Sequence, residues 1–142
     1  MPTAKEKFRS LLKTHSEYTQ EAYNFIYEIL EYTLRRLNRL PGNGKKGRVN
    51  TGSLLESFRL HSIEQFGCLA KTVLNELGIR TTNDIGNIAF NLVEYDLMGK
   101  QKRDKKEDFN NVYDFDKVFD LKQKILYDYE REEWEVEYIQ KE

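Results

Sequence analysis

Phe66-Gly67-Cys68-Leu69-Ala70-Lys71-Thr72-Val73-Leu74-Asn75-Glu76-Leu77-Gly78-Ile79, followed by Arg80-Thr81-Thr82-Asn83-Asp84, is the stretch on which the fold turns. An apolar repeat at helical spacing runs into Gly78, and a second repeat starts within a few residues. Gly78 suits the left-handed position beyond the last turn of a helix, and Ile79 suits the apolar contact that accompanies a Schellman ending. Thr82 or Asn83 then caps a helix with Ile85, Ile88, Ala89, Leu92 and Val93 on its apolar face, and Gly99 ends it. Its polar positions Asp84, Asn87, Asn91 and Glu94 share one stripe. Two helices joined by so short a turn make a helix-turn-helix-like pair. Such a pair buries a core, docks a partner or presents a helix to nucleic acid.

The helix entering this stretch opens at a capping box, Ser53-Leu54-Leu55-Glu56, and carries Leu55, Phe58, Phe66, Leu69, Val73 and Leu77 on its core face. Gly67 within it marks a kink or a close approach. Upstream, residues 19–38 show polar positions Glu21, Asn24, Glu28, Glu31, Arg35 and Asn38 at spacings of three and four. Apolar and aromatic residues surround that narrow stripe: Ala22, Phe25, Ile26 and Ile29 on one side, Tyr23, Tyr27, Leu30 and Leu34 on the other. So wide an apolar surface belongs to a central helix packed on two sides. A shorter segment, 4–13, brings Phe8, Leu11 and Leu12 to the same core.

Residues 39–50 contain Pro41, Gly42, Gly44 and Gly47 without periodicity and read as a basic loop. Residues 100–111 read as a polar linker of mixed charge. The aromatic run Val112-Tyr113-Asp114-Phe115-Asp116-Lys117-Val118-Phe119 suggests a strand or turn leading into one helical turn docked on the core. From Asp120 onward there are eight acidic and four basic residues, so this tail is locally acidic in a chain whose formal net charge is only -1. Trp134, Val136 and Tyr138 alternate with Glu at a strand period, although 127–137 also fits a charged helix. The expected fold is mainly α: a single-domain bundle of four to five helices over 1–121, then an acidic, aromatic extension over 122–142 with a short strand or extended segment.

With 39% hydrophobic and 13% aromatic residues, the 142-residue chain has enough apolar material to bury one core, which argues against wholesale disorder. The near-neutral net charge gives no global attraction to nucleic acid or membrane, so any steering is local. No apolar run approaches eighteen residues, the first ten residues lack a signal-peptide core, and the one cysteine excludes an internal disulfide. These features lead to the expectation of a cytoplasmic protein with no membrane partner. Cys68, inside an apolar repeat, is expected to be a buried small hydrophobe.

Glu21-Ala22-Tyr23 with Phe25, Leu30-Glu31-Tyr32-Thr33, the run from Phe66-Gly67 to Leu74-Asn75-Glu76, Gly78-Ile79-Arg80, residues 85–94 and Tyr113-Asp114-Phe115 together resemble a family of small bacterial conserved hypothetical proteins of unknown function. The resemblance covers roughly residues 8–120. It implies one bacterial domain and no activity, cofactor or site. The acidic tail lies outside it, and the Arg35–Asn50 insert is particular to this chain.

Few constellations carry chemistry. His61 and Glu64 share a helix face at i, i+3, but neither His15 nor His61 has a second His or a Cys nearby in sequence, and a zinc site needs more ligands. No Ser or Cys stands in a glycine-framed nucleophile elbow. Gly42-Asn43-Gly44-Lys45-Lys46-Gly47 lacks the frame of a phosphate-binding loop. Asp114 with Asp116, and the Glu run at 130–137, read as wet faces rather than acid–base pairs. The expectation is a non-catalytic binding protein with no metal or cofactor.

Two partner classes remain. RNA or a ribonucleoprotein would meet a basic rim of Lys45, Lys46, Arg48, Arg80, Lys100, Lys102, Arg103, Lys105 and Lys106, suited to phosphate rather than base contact. The exposed stripe expected on the second helix of the pair lacks Lys and Arg, which disfavours operator reading. Alternatively, another protein or a second copy would meet Tyr113, Phe115, Tyr127, Tyr129, Trp134 and Tyr138, residue types that dominate interface energetics.

Overall fold

The computed structural model describes residues 2–37, 49–99 and 105–141. Among them run α1 (Ala4–Thr14), α2 (Gln20–Arg36), α3 (Thr51–Phe66), α4 (Ala70–Glu76), α5 (Thr82–Glu94), the single turn α6 (Phe115–Val118), and an antiparallel hairpin of β1 (Leu121–Asp128) and β2 (Glu133–Gln140). The mainly helical bundle with a C-terminal strand element is therefore present.

Thr19 caps α2 by accepting from the Ala22 N–H at 3.2 Å. The helix buries Ala22, Tyr23, Phe25, Ile26, Ile29, Leu30, Thr33 and Leu34 against α3 and α5, so it is the central helix its pattern predicts. Glu21, Asn24, Glu28, Glu31 and Arg35 are exposed as expected, and Asn38 lies outside the described residues. Tyr27 departs from its expected flank: it is 42% exposed.

The start of α3 corrects the expected capping box. The Asn50 side chain, not Ser53, caps the helix by accepting from the Ser53 N–H at 2.7 Å. Glu56 instead pairs with Arg59 through Nη2–Oε1 at 2.5 Å and Nε–Oε2 at 3.2 Å. That pairing holds its carboxyl below the usual range. Further on, Gly67 adopts φ +54°, which stops the helix. A 3-10 turn, Gly67–Leu69, then re-phases the chain into α4. The break moves Leu69 out of the expected core face, to 64% exposure, and replaces it with Ala70 and Leu74. Cys68 is likewise exposed, against the expectation of burial, because it sits in this turn rather than in a continuous helix.

The turn after α4 has the expected chemistry. Gly78 at φ +84° donates to the Asn75 carbonyl at 3.0 Å, and the Ile79 N–H donates to the Leu74 carbonyl at 2.9 Å. This is the Schellman pattern. The N-cap of α5 is Thr81, in a capping box with Asp84, rather than Thr82 or Asn83. Those two have other partners: the buried Thr82 hydroxyl donates to the Phe109 carbonyl at 2.6 Å, and Asn83 Oδ1 accepts from the Asn111 N–H at 2.8 Å. They tie down a second 3-10 turn, Lys106–Phe109, within the segment expected to be only a polar linker. Gly86 makes room for it, since a Cβ there would lie 2.6 Å from Phe109 Cβ. Helix α5 ends at Glu94, before the expected Gly99, and Asp96 takes the left-handed position at φ +60°.

Candidate interaction surface

The stripe Asp84, Asn87, Asn91 is not a free helix face. Asn87 donates to the Tyr18 hydroxyl at 2.9 Å, and that hydroxyl donates to Asp84 Oδ1 at 2.7 Å. Asn91 donates to the Tyr23 hydroxyl at 3.0 Å and is buried. Apolar residues cover the other sides of α5, so of the stripe only Glu94 is exposed. A recognition helix needs an open face for the groove, and α5 has none.

Of the expected basic rim, Lys45, Lys46, Arg48, Lys100, Lys102 and Arg103 lie outside the described residues. Arg80 precedes α5, while Lys105 and Lys106 begin the second 3-10 turn. None of these three side chains forms an ion pair with another described residue.

The aromatic set divides in two. Phe115 is buried, stacked at 5.6 Å on Phe58 and edge-on at 5.2 Å to Phe119. Tyr113 donates from its hydroxyl to the Leu55 carbonyl at 2.7 Å, and burial pushes that hydroxyl's pKa up. Both belong to the core, as the docked aromatic turn predicts, and so they are withdrawn from the partner surface. Tyr127, Tyr129, Trp134 and Tyr138 all stand on the hairpin.

The tail's two sequence readings resolve in favour of strand. β1 and β2 pair from Leu121↔Gln140 to Asp128↔Glu133, with residues 129–132 as the connection. Asp128 Oδ1 organises that connection by accepting from the N–H groups of Glu130 at 2.9 Å and Arg131 at 3.2 Å. Alternation along paired strands sorts the side chains. One face holds Leu121, Gln123, Ile125 and Tyr127 with Gln140, Tyr138, Val136 and Trp134. The other holds Lys122, Lys124, Leu126 and Asp128 with Ile139, Glu137, Glu135 and Glu133. The first face is uncharged and, apart from Gln123 and Gln140, apolar; the second carries every charge of the paired strands together with Leu126 and Ile139.

Only the root of the hairpin meets the helical body. Leu121 is buried, the Cys68 thiol donates to its carbonyl at 3.5 Å, and the Tyr138 ring covers Gly67 so closely that a Cβ there would lie 2.5 Å away. Beyond the root the apolar face overhangs solvent: Ile125 is 59% exposed, Val136 46% and Trp134 71%. Trp134 and Tyr127 pack on each other at 4.9 Å, and Tyr127 meets Tyr129 at 4.8 Å.

His61, which shares a helix face with Glu64 in the sequence reading, is buried, with Nε2 2.9 Å from Glu28 Oε2 and its ring 4.7 Å from that of Tyr32. The connection comes from α2, 33 residues away, and no local spacing signals it. Among the described residues no three His, Cys, Asp or Glu side chains converge on a metal position. None of the helices described is long and apolar enough to cross a membrane. No protein-family model, curated protein or solved structure matches this chain.

Proposed function

We propose that the protein is a non-catalytic protein-binding module whose working surface is the apolar face of the C-terminal hairpin, with a second copy of the chain as the partner seated on it. The observation that carries this reading is the segregation of the two hairpin faces. A two-stranded sheet with open faces is marginal in water, and its apolar side chains gain by being covered. A twofold axis brings the Ile125, Val136 and Trp134 surface onto its own copy and leaves both charged faces wet. Edge-to-edge pairing is disfavoured. Around a twofold axis it sets Lys122 and Lys124 of β1, or Glu133, Glu135 and Glu137 of β2, against their own copies. The exposed apolar surface is roughly 500 Å² per copy, which belongs to the class of small, weak interfaces.

Sedimentation velocity on the full chain and on Val136→Lys tests this. Dimer forming on the order of 10 μM in the wild type and lost in the variant, with an unchanged thermal midpoint for the helical body, is expected. A wild-type chain that stays monomeric far above that concentration sinks the reading.

A second reading, electrostatic docking on RNA, is supported by Arg80, Lys105 and Lys106, which form no ion pair with an acidic group among the described residues. The hairpin's own ion pairs are internal or at its root: Arg131 with Asp128 and Glu135, and Lys141 with Asp120. None of these described pairs involves Arg80, Lys105 or Lys106. RNA affinity falling steeply with salt is the expected behaviour, and its absence at low salt removes this alternative.

A further inference from the structure

Away from the hairpin, α1, α2 and the end of α5 enclose an open trough of about 560 Å³. Its floor is Phe8, Leu12, Leu92 and Leu97, with Tyr27 at one side. From α1 it takes residues 4, 5, 8, 9 and 12, and from α2 residues 20, 24 and 27. Each set follows one helix face, so the trough runs along the two helices, about 12 Å from Ala4 to Leu12 at 1.5 Å per residue. An elongated apolar floor with a few polar groups at the rim has the form of a small-molecule site.

The rim has one sign of charge. Lys5 and Arg9 stand one turn apart on α1, and neither forms an ion pair with another described residue. Lys7 between them does, with Asp96 at 3.0 Å. Gln20 and Asn24 face them from the first turns of α2, where the helix dipole also favours an anion. Their side-chain amides bond to no other described residue. Among the described residues the lining contains no carboxylate, although the chain has 24 acidic residues against 23 basic ones. The exposed ring of Tyr27 is apolar surface that an occupant would cover.

We propose that this trough binds a linear anionic amphiphile, a free long-chain alkanoate, with its chain along Phe8, Leu12 and Leu97 and its carboxylate held by Lys5 and Arg9. A lipid surface is disfavoured as the source, because the cations flank a trough rather than cover a flat face.

Isothermal titration of the full chain with dodecanoate, below its micelle concentration, tests the proposal. Controls are decanoate, dodecanol, dodecyltrimethylammonium and the variant Lys5→Glu/Arg9→Glu. Saturable binding with a Kd on the order of 10 μM is expected for dodecanoate. Decanoate, shorter by two methylenes, should bind about tenfold more weakly. The double variant should lose at least about tenfold in dodecanoate affinity and none toward dodecanol. Both changes are on exposed positions of α1, and an unchanged circular dichroism melt verifies the fold. The proposal is overturned by no saturable dodecanoate binding, by equal affinity in the double variant, or by dodecyltrimethylammonium binding as tightly as dodecanoate. Anionic vesicles that bind the chain while free dodecanoate does not would likewise overturn it.

Discussion

Tyr18 links the connection before α2 to the first turn of α5, donating to Asp84 Oδ1 while accepting from Asn87. Asp84 Oδ2 simultaneously takes the backbone N–H groups of Arg80 at 2.8 Å and Thr81 at 3.2 Å. One carboxylate thus closes a helix cap and anchors a tertiary contact. Burial, the largest cause, raises the Tyr18 pKa; Asn87 opposes the shift and Asp84 reinforces it. A phenol whose folded pKa is raised contributes stability that is complete below its unfolded value of about 10 and is lost as pH rises toward the folded value. Stability should therefore decline on the alkaline side. Tyr18→Phe should cost about 1 kcal/mol at neutral pH and flatten that decline, since the titrating group is gone. Tyr23 and Tyr113 are shifted in the same direction, so some slope should persist. Urea midpoints at neutral pH and above pH 10 check both parts, and an unchanged alkaline slope would contradict the assignment.

At the scale of elements, Gly67 has two duties. Its positive φ ends α3, and its missing side chain admits the Tyr138 ring that roots the hairpin. Gly67→Ala should cost about 1–3 kcal/mol, combining left-handed strain with displacement of the ring. Because the double variant Gly67→Ala/Tyr138→Ala removes the steric conflict but not the strain, the two substitutions should be strongly non-additive. Thermal melts of the four members of that cycle measure the coupling, and strict additivity would refute the contact. Gly67 was legible in the sequence as a kink or a close approach, and it is both. The hairpin's pairing was half legible: the Trp134, Val136, Tyr138 period pointed to a strand, but β1 alternates less cleanly, and only the partner strand supplies its register.

For the whole molecule, the helical body and the hairpin differ in what holds them. Tyr23, Ile26, Ile29, Leu74, Ile85 and Ile88 form one core with essentially no solvent contact, while the hairpin buries little beyond Leu121. Local opening free energies follow such differences in buried contact. Amides of β1 and β2 should exchange orders of magnitude faster than those in the middle of α2. Under the proposed self-association, a second copy would bind only the formed hairpin, and hairpin protection should then also rise with protein concentration. Hydrogen exchange at two concentrations checks this. Hairpin protection equal to that of α2 in dilute solution would contradict the weak attachment of the arm.

Several features of this protein were determined by the sequence alone: the central helix, the Schellman turn at Gly78 and the docked aromatic turn around Phe115. Each rests on short-range rules, a helical period, a glycine requirement or an aromatic cluster, that are complete within a few residues. Tertiary structure decided what no local rule encodes. Whether Asn91 faces water or Tyr23, whether His61 meets Glu64 or Glu28, and whether Cys68 is covered depend on how α3 re-phases at Gly67 and on which helix arrives opposite. The same holds for the trough beneath Lys5 and Arg9. Its residues come from the neighbouring α1 and α2 and, much further along the chain, from Leu92 of α5 and Leu97 just beyond it, and only packing brings that last pair beside the other two helices.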